Sequence, residues 1–247
     1  MKNHLDKPDC SLPFVHVTSW SSALRIFRDG YLKPNSSDVF KEDILYMSYG
    51  KIVYEPSLKP YTWVDDLPVA FVFRPHLINK VFDFYPFDTG AVVAGHLERY
   101  TSTIEKYLNL FKMNNGVKTR PSTWIKSFFG SNNIYLLKTK SNLPKKQKHI
   151  CEAFEYLYDS YESRADVDQR LVSIECQFKG AVGINMELDY VWVHKDYKKM
   201  IDKKGDCFNF NRHKIRYYGD YSIDGSIPLD LRKSVDQHII NAALTSG

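Results

Sequence analysis

The chain is poor in the features that staple or anchor a protein. Its four cysteines, at positions 10, 151, 176 and 207 of 247, form no CxxC pair and no Cys/His spacing of the zinc type, so neither a disulfide framework nor a metal site is predicted. The thiols are expected to be reduced, as in the cytoplasm. No uninterrupted apolar run approaches the ~20 residues a membrane helix needs, and the opening MKNHLDKPDC lacks the apolar core of a signal peptide. A cytoplasmic protein without a membrane partner is therefore expected. Repeats and low-complexity linkers are also missing, which leaves one domain over residues 1–247 as the expected organisation.

What is abundant is aromatic surface and a moderate positive charge. A hydrophobic fraction of 43% with 26% charged residues is the balance of a globular chain and excludes intrinsic disorder. Seventeen tyrosines and fifteen phenylalanines can fill a core, and can equally stack on a planar ring. The net charge of +5 is compatible with a polyanionic partner without requiring one. Lysines gather in LPKKQKH (143–149) and HKDYKKMIDKK (194–204), acids in EAFEYLYDSYESRADVD (152–168); such runs are most often solvated faces.

Local signals divide the chain into strands and helices. FVHVTS reads as a strand, followed by a helix capped by Ser19 or Ser21, with Leu24 and Phe27 on one face and Gly30 as its stop. ILYMSYGKIVYEP (44–56) predicts a strand that breaks at Gly50 and resumes, and PVAFVF a doubly covered central strand. FDFYPFDTGAV (82–92) is turn-rich. Helices are expected between 97 and 133, one of them starting at Pro121. Two later strands, RLVSIECQF and YVWVHK, are separated by a turn through Gly180 and Gly183.

Two segments carry candidate chemistry. His16 and Thr18 stand at i and i+2, so both leave one face of their strand. They are either core residues or a donor and a hydroxyl awaiting a ligand beside a helix N-terminus, where anions are favoured. In RLVSIECQF the alternation sets Ser173, Glu175 and Gln177 against Ile174, Cys176 and Phe178. The second set is the core face, so Glu175 is either an exposed charge or the acid of a cleft.

In order, HVTSWSSALRIFRDGYLKP, LYMSYGKIVYEP and DQRLVSIECQFKGAVGI with VWVHKD resemble the three cofactor-binding and catalytic segments of the ADP-ribosyltransferase fold, and within it the DarT-like branch. The resemblance implies an α+β fold with a split β-sheet core and a mainly helical insertion around 97–168. It implies NAD as co-substrate, no metal, and transfer of ADP-ribose to a macromolecule, nucleic acid or protein. By position it assigns His16 to the nicotinamide ribose with Thr18 in support, Tyr49, Gly50, Lys51 and Tyr54 to the nicotinamide and diphosphate, and Glu175 to catalysis. Lys51 stands where an arginine is commoner, and Ser173 where arginine-modifying toxins carry a second glutamate. A toxin or phage-conflict role, with an antitoxin or inhibitor as partner, is a further implication. A NAD glycohydrolase and a non-catalytic binding module on the same fold are the alternatives.

Overall fold

A computed structural model of the chain describes residues 12–53, 67–91, 108, 111–113, 121–137, 173–204, 207–219 and 229–245. Phe14–Ser19 is strand β1 and Trp20–Asp29 helix α1. Ser19 is the N-cap, its hydroxyl accepting from the Ser22 N–H at 3.4 Å. Gly30 closes the helix at φ 79°, donating its N–H to the Ile26 carbonyl, a backbone conformation glycine adopts without a Cβ penalty. Ten residues make a helix too short to persist alone. Its buried stripe of Trp20, Ala23 and Phe27 holds it to the sheet. Phe27 meets Phe71 and Phe210 at ring separations of 5.5 and 4.9 Å, and Trp20 stacks on Tyr197 at 3.9 Å.

The remaining strands among the described residues are β2 (Tyr31–Leu32), β3 (Asn35–Ser36), β4 (Asp43–Tyr49), β5 (Pro68–Phe73), β6 (Asp83–Tyr85), β7 (Glu175–Phe178), β8 (Val182–Gly183), β9 (Leu188–His194) and β10 (Ile215–Tyr218). One mixed sheet runs β10-β9-β5-β1-β4-β7-β6, with β3 added to β4, and β2 pairs with β8 in a second, small sheet. The β9–β10 pair is parallel and the others are antiparallel. With helices packed against it, this is an α+β arrangement. β5 lies between β1 and β9 with all six residues buried, as its unbroken apolar run predicts.

Residues directly opposite one another across an antiparallel pair share a face. One face therefore carries Phe14, Phe71, Phe73, Leu45, Met47, Tyr49, Cys176 and Phe178. All are buried, and α1 packs there through Phe27. Val15, Tyr46, Ser48, Glu175 and Gln177 occupy the opposite face.

Several elements differ from expectation. The strand expected over 44–56 ends at Tyr49 and does not resume within 51–53. Within the described residues of RLVSIECQF, 173–178, the strand is Glu175–Phe178, so Glu175 begins it and does not sit in its middle. The turn-rich 82–92 contains β6, and the turn through Gly180 and Gly183 contains β8 and a helical turn, Ile184–Glu187. Helices α2 (Pro121–Phe128) and α3 (Asn132–Leu137) fall in the expected helical insertion, most of which lies outside the described residues. Helices α4 (Lys198–Lys204) and α5 (Leu229–Thr245) follow later in the described residues.

Candidate cofactor cleft

β1 is paired with β5 over six residues but with β4 over only two, Phe14 with Tyr49 and Val15 with Ser48. Beyond Val15 the two strands part. Carbonyls released from a ladder must find other donors, and side chains supply them on both sides of the fork. The Ser48 hydroxyl donates to the Lys51 carbonyl at 2.6 Å and lies 3.1 Å from the Val15 carbonyl. His16 Nδ1 donates to the Tyr46 carbonyl at 2.9 Å. A carbonyl can only accept, so Nδ1 carries the proton and the neutral ring keeps a lone pair on Nε2. Burial holds the His16 pKa below its ordinary value, and the hydrogen bond to Tyr46 only partly offsets this; the imidazole is neutral at pH 7.

Two cavities share His16 in their walls. The first, about 260 Å³, is lined by residues of the Val15 face, among them Val17, Tyr46, Ser48 and Glu175, together with Asp88 and Ser173. The second, about 240 Å³, lies toward α1, with Thr18, Ser22, Arg25, Asp29, Tyr31 and Lys33 in its wall. His16 and Thr18 share this second side, as their spacing predicts. His16 and Glu175 leave opposite faces of the sheet, and both reach the first cavity because the strands part between them. The two cavities also differ in charge. The first holds the carboxyl groups of Glu175 and Asp88, whereas the second holds Arg25 and Lys33, with Asp29 paired to Lys33 at 3.0 Å.

Glu175 is 4% exposed and held by three groups. The Thr89 N–H donates to Oε2 at 2.8 Å, the Thr89 hydroxyl to Oε1 at 2.9 Å, and Gln177 Nε2 to Oε1 at 2.7 Å. Burial pushes its pKa up to about 8, the Asp88 carboxylate adds to the rise, and the Gln177 and Thr89 donors oppose it. A buried carboxyl beside a second one is favourable to host a cation or developing positive charge, since either relieves both causes of the shift. The Tyr46 phenol, bonded to the Ser37 hydroxyl, is pushed up to about 12, mainly by burial and further by Glu175, Asp88 and Glu42. It remains a neutral donor.

Of the residues assigned by position, His16, Thr18 and Glu175 line the cavities. Tyr49, Gly50 and Lys51 are placed behind them. Tyr49 has the parity of Leu45 and Met47 and is 1% exposed; its hydroxyl accepts from the Leu12 N–H at 2.9 Å and its ring meets Phe14 edge-on. Gly50 has φ 69°, and a Cβ there would fall 2.4 Å from Leu12 Cδ1, so glycine is required by the backbone. Lys51 is 4% exposed with its ammonium 4.1 Å from the Tyr135 ring centre, a cation–π contact within the core. Tyr54 lies outside the described residues. Tyr46, Ser48, Asp88 and Arg25 line the cavities without having been singled out as ligands. Parity could have found the first two, because the residues next to Tyr49 and Met47 face the other way.

Comparison of the chain with known protein families, with curated proteins and with solved structures gives no match.

Proposed function

We propose that the chain binds NAD across the fork between β1 and β4 and transfers its ADP-ribose to a macromolecular acceptor, on a fold of the ADP-ribosyltransferase kind. The observation that carries this reading is the polarity of two cavities that share one lining histidine: the carboxyl groups of Glu175 and Asp88 on one side, Arg25 and Lys33 on the other. NAD has matching polarity, with a cationic nicotinamide ring at one end and an anionic diphosphate toward the other. Arginine suits the diphosphate because its fork of N–H groups pairs with two phosphate oxygens at once.

Each residue then has a task. His16, in the walls of both cavities, offers its Nε2 lone pair to a ribose hydroxyl, and its bond to the Tyr46 carbonyl fixes the ring orientation. Glu175 stabilises the positive charge that develops on the ribose as the bond to nicotinamide breaks, charge present mainly in the transition state. Thr89 and Gln177 hold the carboxylate in place.

The test is incubation with NAD labelled in the adenylate moiety, with DNA, RNA and protein offered separately, while nicotinamide is measured. Label in one pool with equimolar nicotinamide is the expected result and names the acceptor class. Nicotinamide without labelled macromolecule reassigns the cleft to a glycohydrolase. Neither release nor NAD binding by calorimetry would refute the assignment.

A further inference from the structure

We propose that the β10 edge of the sheet is a docking site for an extended acidic segment of a partner protein, which adds to the sheet as a further strand. The inference is independent of the NAD reading, since β10 stands three places from β1 in the order β10-β9-β5-β1.

The main sheet ends in β6 on one side and β10 on the other, and the two edges differ. At β6 the Phe84 carbonyl already accepts from the Met113 N–H at 3.1 Å. At β10 the backbone groups of positions 215 and 219 that do not reach β9 are taken up locally. The Ile215 N–H donates to the Arg212 carbonyl, the Ile215 carbonyl accepts from the Arg216 guanidinium at 3.0 Å, and the Gly219 N–H donates to the Asp230 carboxylate at 2.8 Å. Both positions therefore turn outward, and because successive residues of a strand direct their backbone groups to alternate sides, Tyr217 turns outward with them. Its N–H and carbonyl have no outward hydrogen-bond partner among the described residues. A residue that offers both groups is what an added strand pairs with, exchanging two bonds at one position.

The surroundings set the chemistry of the partner. His213, Arg216 and, on α4, Lys198, Lys199 and Lys203 are exposed, and none of them pairs with a carboxylate among the described residues. The Lys198 ammonium stands 5.7 Å from the centre of the Tyr217 ring, so positive charge reaches the open position; Asp202, one turn further along α4, is the acid that acts on the same side chain. Arg216 guards the edge. Its Nη1 donates to the His213 and Ile215 carbonyls at 2.7 and 3.0 Å, the kind of charged cover that keeps an edge from pairing at random. A neutral strand would have to displace this guanidinium without compensation. A carboxylate draws it off the carbonyls into a stronger, charge-assisted pair, which opens Ile215 as a second pairing position. Successive residues of a strand fall on opposite faces, so two adjacent acids can meet Arg216 and Lys198. A second copy of this chain would set like charge against like, and a polyanion without peptide groups would leave the Tyr217 N–H and carbonyl unmatched.

The probe is a capped hexapeptide, Thr-Val-Glu-Glu-Val-Thr, titrated to millimolar concentration into the full isotope-labelled chain while the backbone amides are followed by NMR. Saturable shifts at Tyr217 and along β10 are expected, with exchange of the Tyr217 amide slowed about tenfold or more at saturation. Lys198→Gln and Arg216→Gln should each weaken the peptide about tenfold, the scale of one charge-assisted pair. Two control peptides should leave Tyr217 unmoved: one with lysines in place of the glutamates, and one with every amide N-methylated, which keeps the charge and cannot pair. Unmoved β10 amides with the acidic peptide overturn the proposal. Equal shifts from the N-methylated peptide, or from a short oligonucleotide, overturn strand addition and leave a merely electrostatic surface. Protection of the Tyr217 amide that rises with protein concentration in the absence of peptide assigns the edge to a second copy of the chain and also refutes an acidic partner.

Discussion

Glu175→Gln is expected to trade activity for stability, and the trade should depend on pH. The native carboxyl has a pKa raised from 4.5 to about 8, with burial the main cause and Asp88 the second. Between those values the folded protein holds a proton that the unfolded chain has released. With fewer protons bound in the unfolded state, stability falls as pH rises from about 4.5 to about 8 and then levels off. At about 1.4 kcal/mol per pH unit the full interval corresponds to about 4–5 kcal/mol. The influence of the neighbouring Asp88 charge and relaxation around the buried group bring the expected difference between pH 5 and pH 8 to about 2–3 kcal/mol. Glutamine removes this slope because it does not titrate. Its amide cannot accept from every donor around Oε1 and Oε2, so one hydrogen bond is lost or Gln177 turns over, at about 1 kcal/mol. At pH 5 the variant should therefore match wild type or fall slightly below it, and at pH 8 it should melt higher by about 2–8 °C, given about 2–4 °C per kcal/mol for a chain of this size. Nicotinamide release should fall at least about 10²-fold at pH 8, the scale of losing one strong electrostatic stabiliser, and much less at pH 5, where the native carboxyl is already protonated. Thermal melts of both proteins across pH 5–8 provide the check. Parallel melting curves would mean that Glu175 is not held protonated in the fold, and the burial argument for its role would fail.

Thr89→Val keeps the volume but removes the hydroxyl donor to Glu175; the acidic limb of the NAD-dependent pH–rate profile should move to higher pH, and an unmoved limb would detach Thr89 from the carboxylate. Gly50→Ala combines φ 69° with a Cβ 2.4 Å from Leu12 and should destabilise by about 2–4 kcal/mol, read as a lower denaturant midpoint with an unchanged m-value. Tyr135→Phe removes a hydroxyl that donates to the Tyr49 carbonyl at 2.7 Å and accepts from the Ile174 N–H at 3.1 Å. Leaving two buried backbone groups without that partner should lower stability by about 2–4 kcal/mol, and a loss below 0.5 kcal/mol would show that another group takes over. Arg25→Ala should raise the KM for NAD about tenfold with kcat little changed, because a diphosphate contact is made equally in the ground and transition states; an effect on kcat alone would remove Arg25 from binding.

The parts of this fold that can be read from the sequence are those fixed by neighbours along the chain. Ser19, the Trp20/Ala23/Phe27 stripe and Gly30 define α1 through capping, periodicity and a left-handed stop, all within a dozen residues. β5 is legible because an unbroken apolar run suits a strand covered on both sides. The cleft depends on longer-range placement. That Glu175 faces away from His16 follows from β4 standing between β1 and β7, a strand order no local pattern contains. The Asp88–Thr89 pair has turn chemistry of its own, and its importance emerges only where β6 pairs with β7 and brings Thr89 onto Glu175. Tyr49 was a different kind of miss: counting outward from the apolar Leu45 and Met47 puts it on the core face and exchanges it for Tyr46 and Ser48.

Mechanically, the fork makes the sheet two rafts joined by a short hinge. β1 and β5 form one plank, β4 and β7 the other, and two rungs with the side-chain ties of Ser48 and His16 connect them. A full ladder resists shear along its whole length, whereas a two-rung joint resists it only at the Phe14–Tyr49 end. The compliance is concentrated where a ligand would lodge, so a molecule wedged between the planks would stiffen the sheet as a whole. Its signature would be slowed hydrogen exchange along the parted edges of β1 and β4, including amides the ligand never touches.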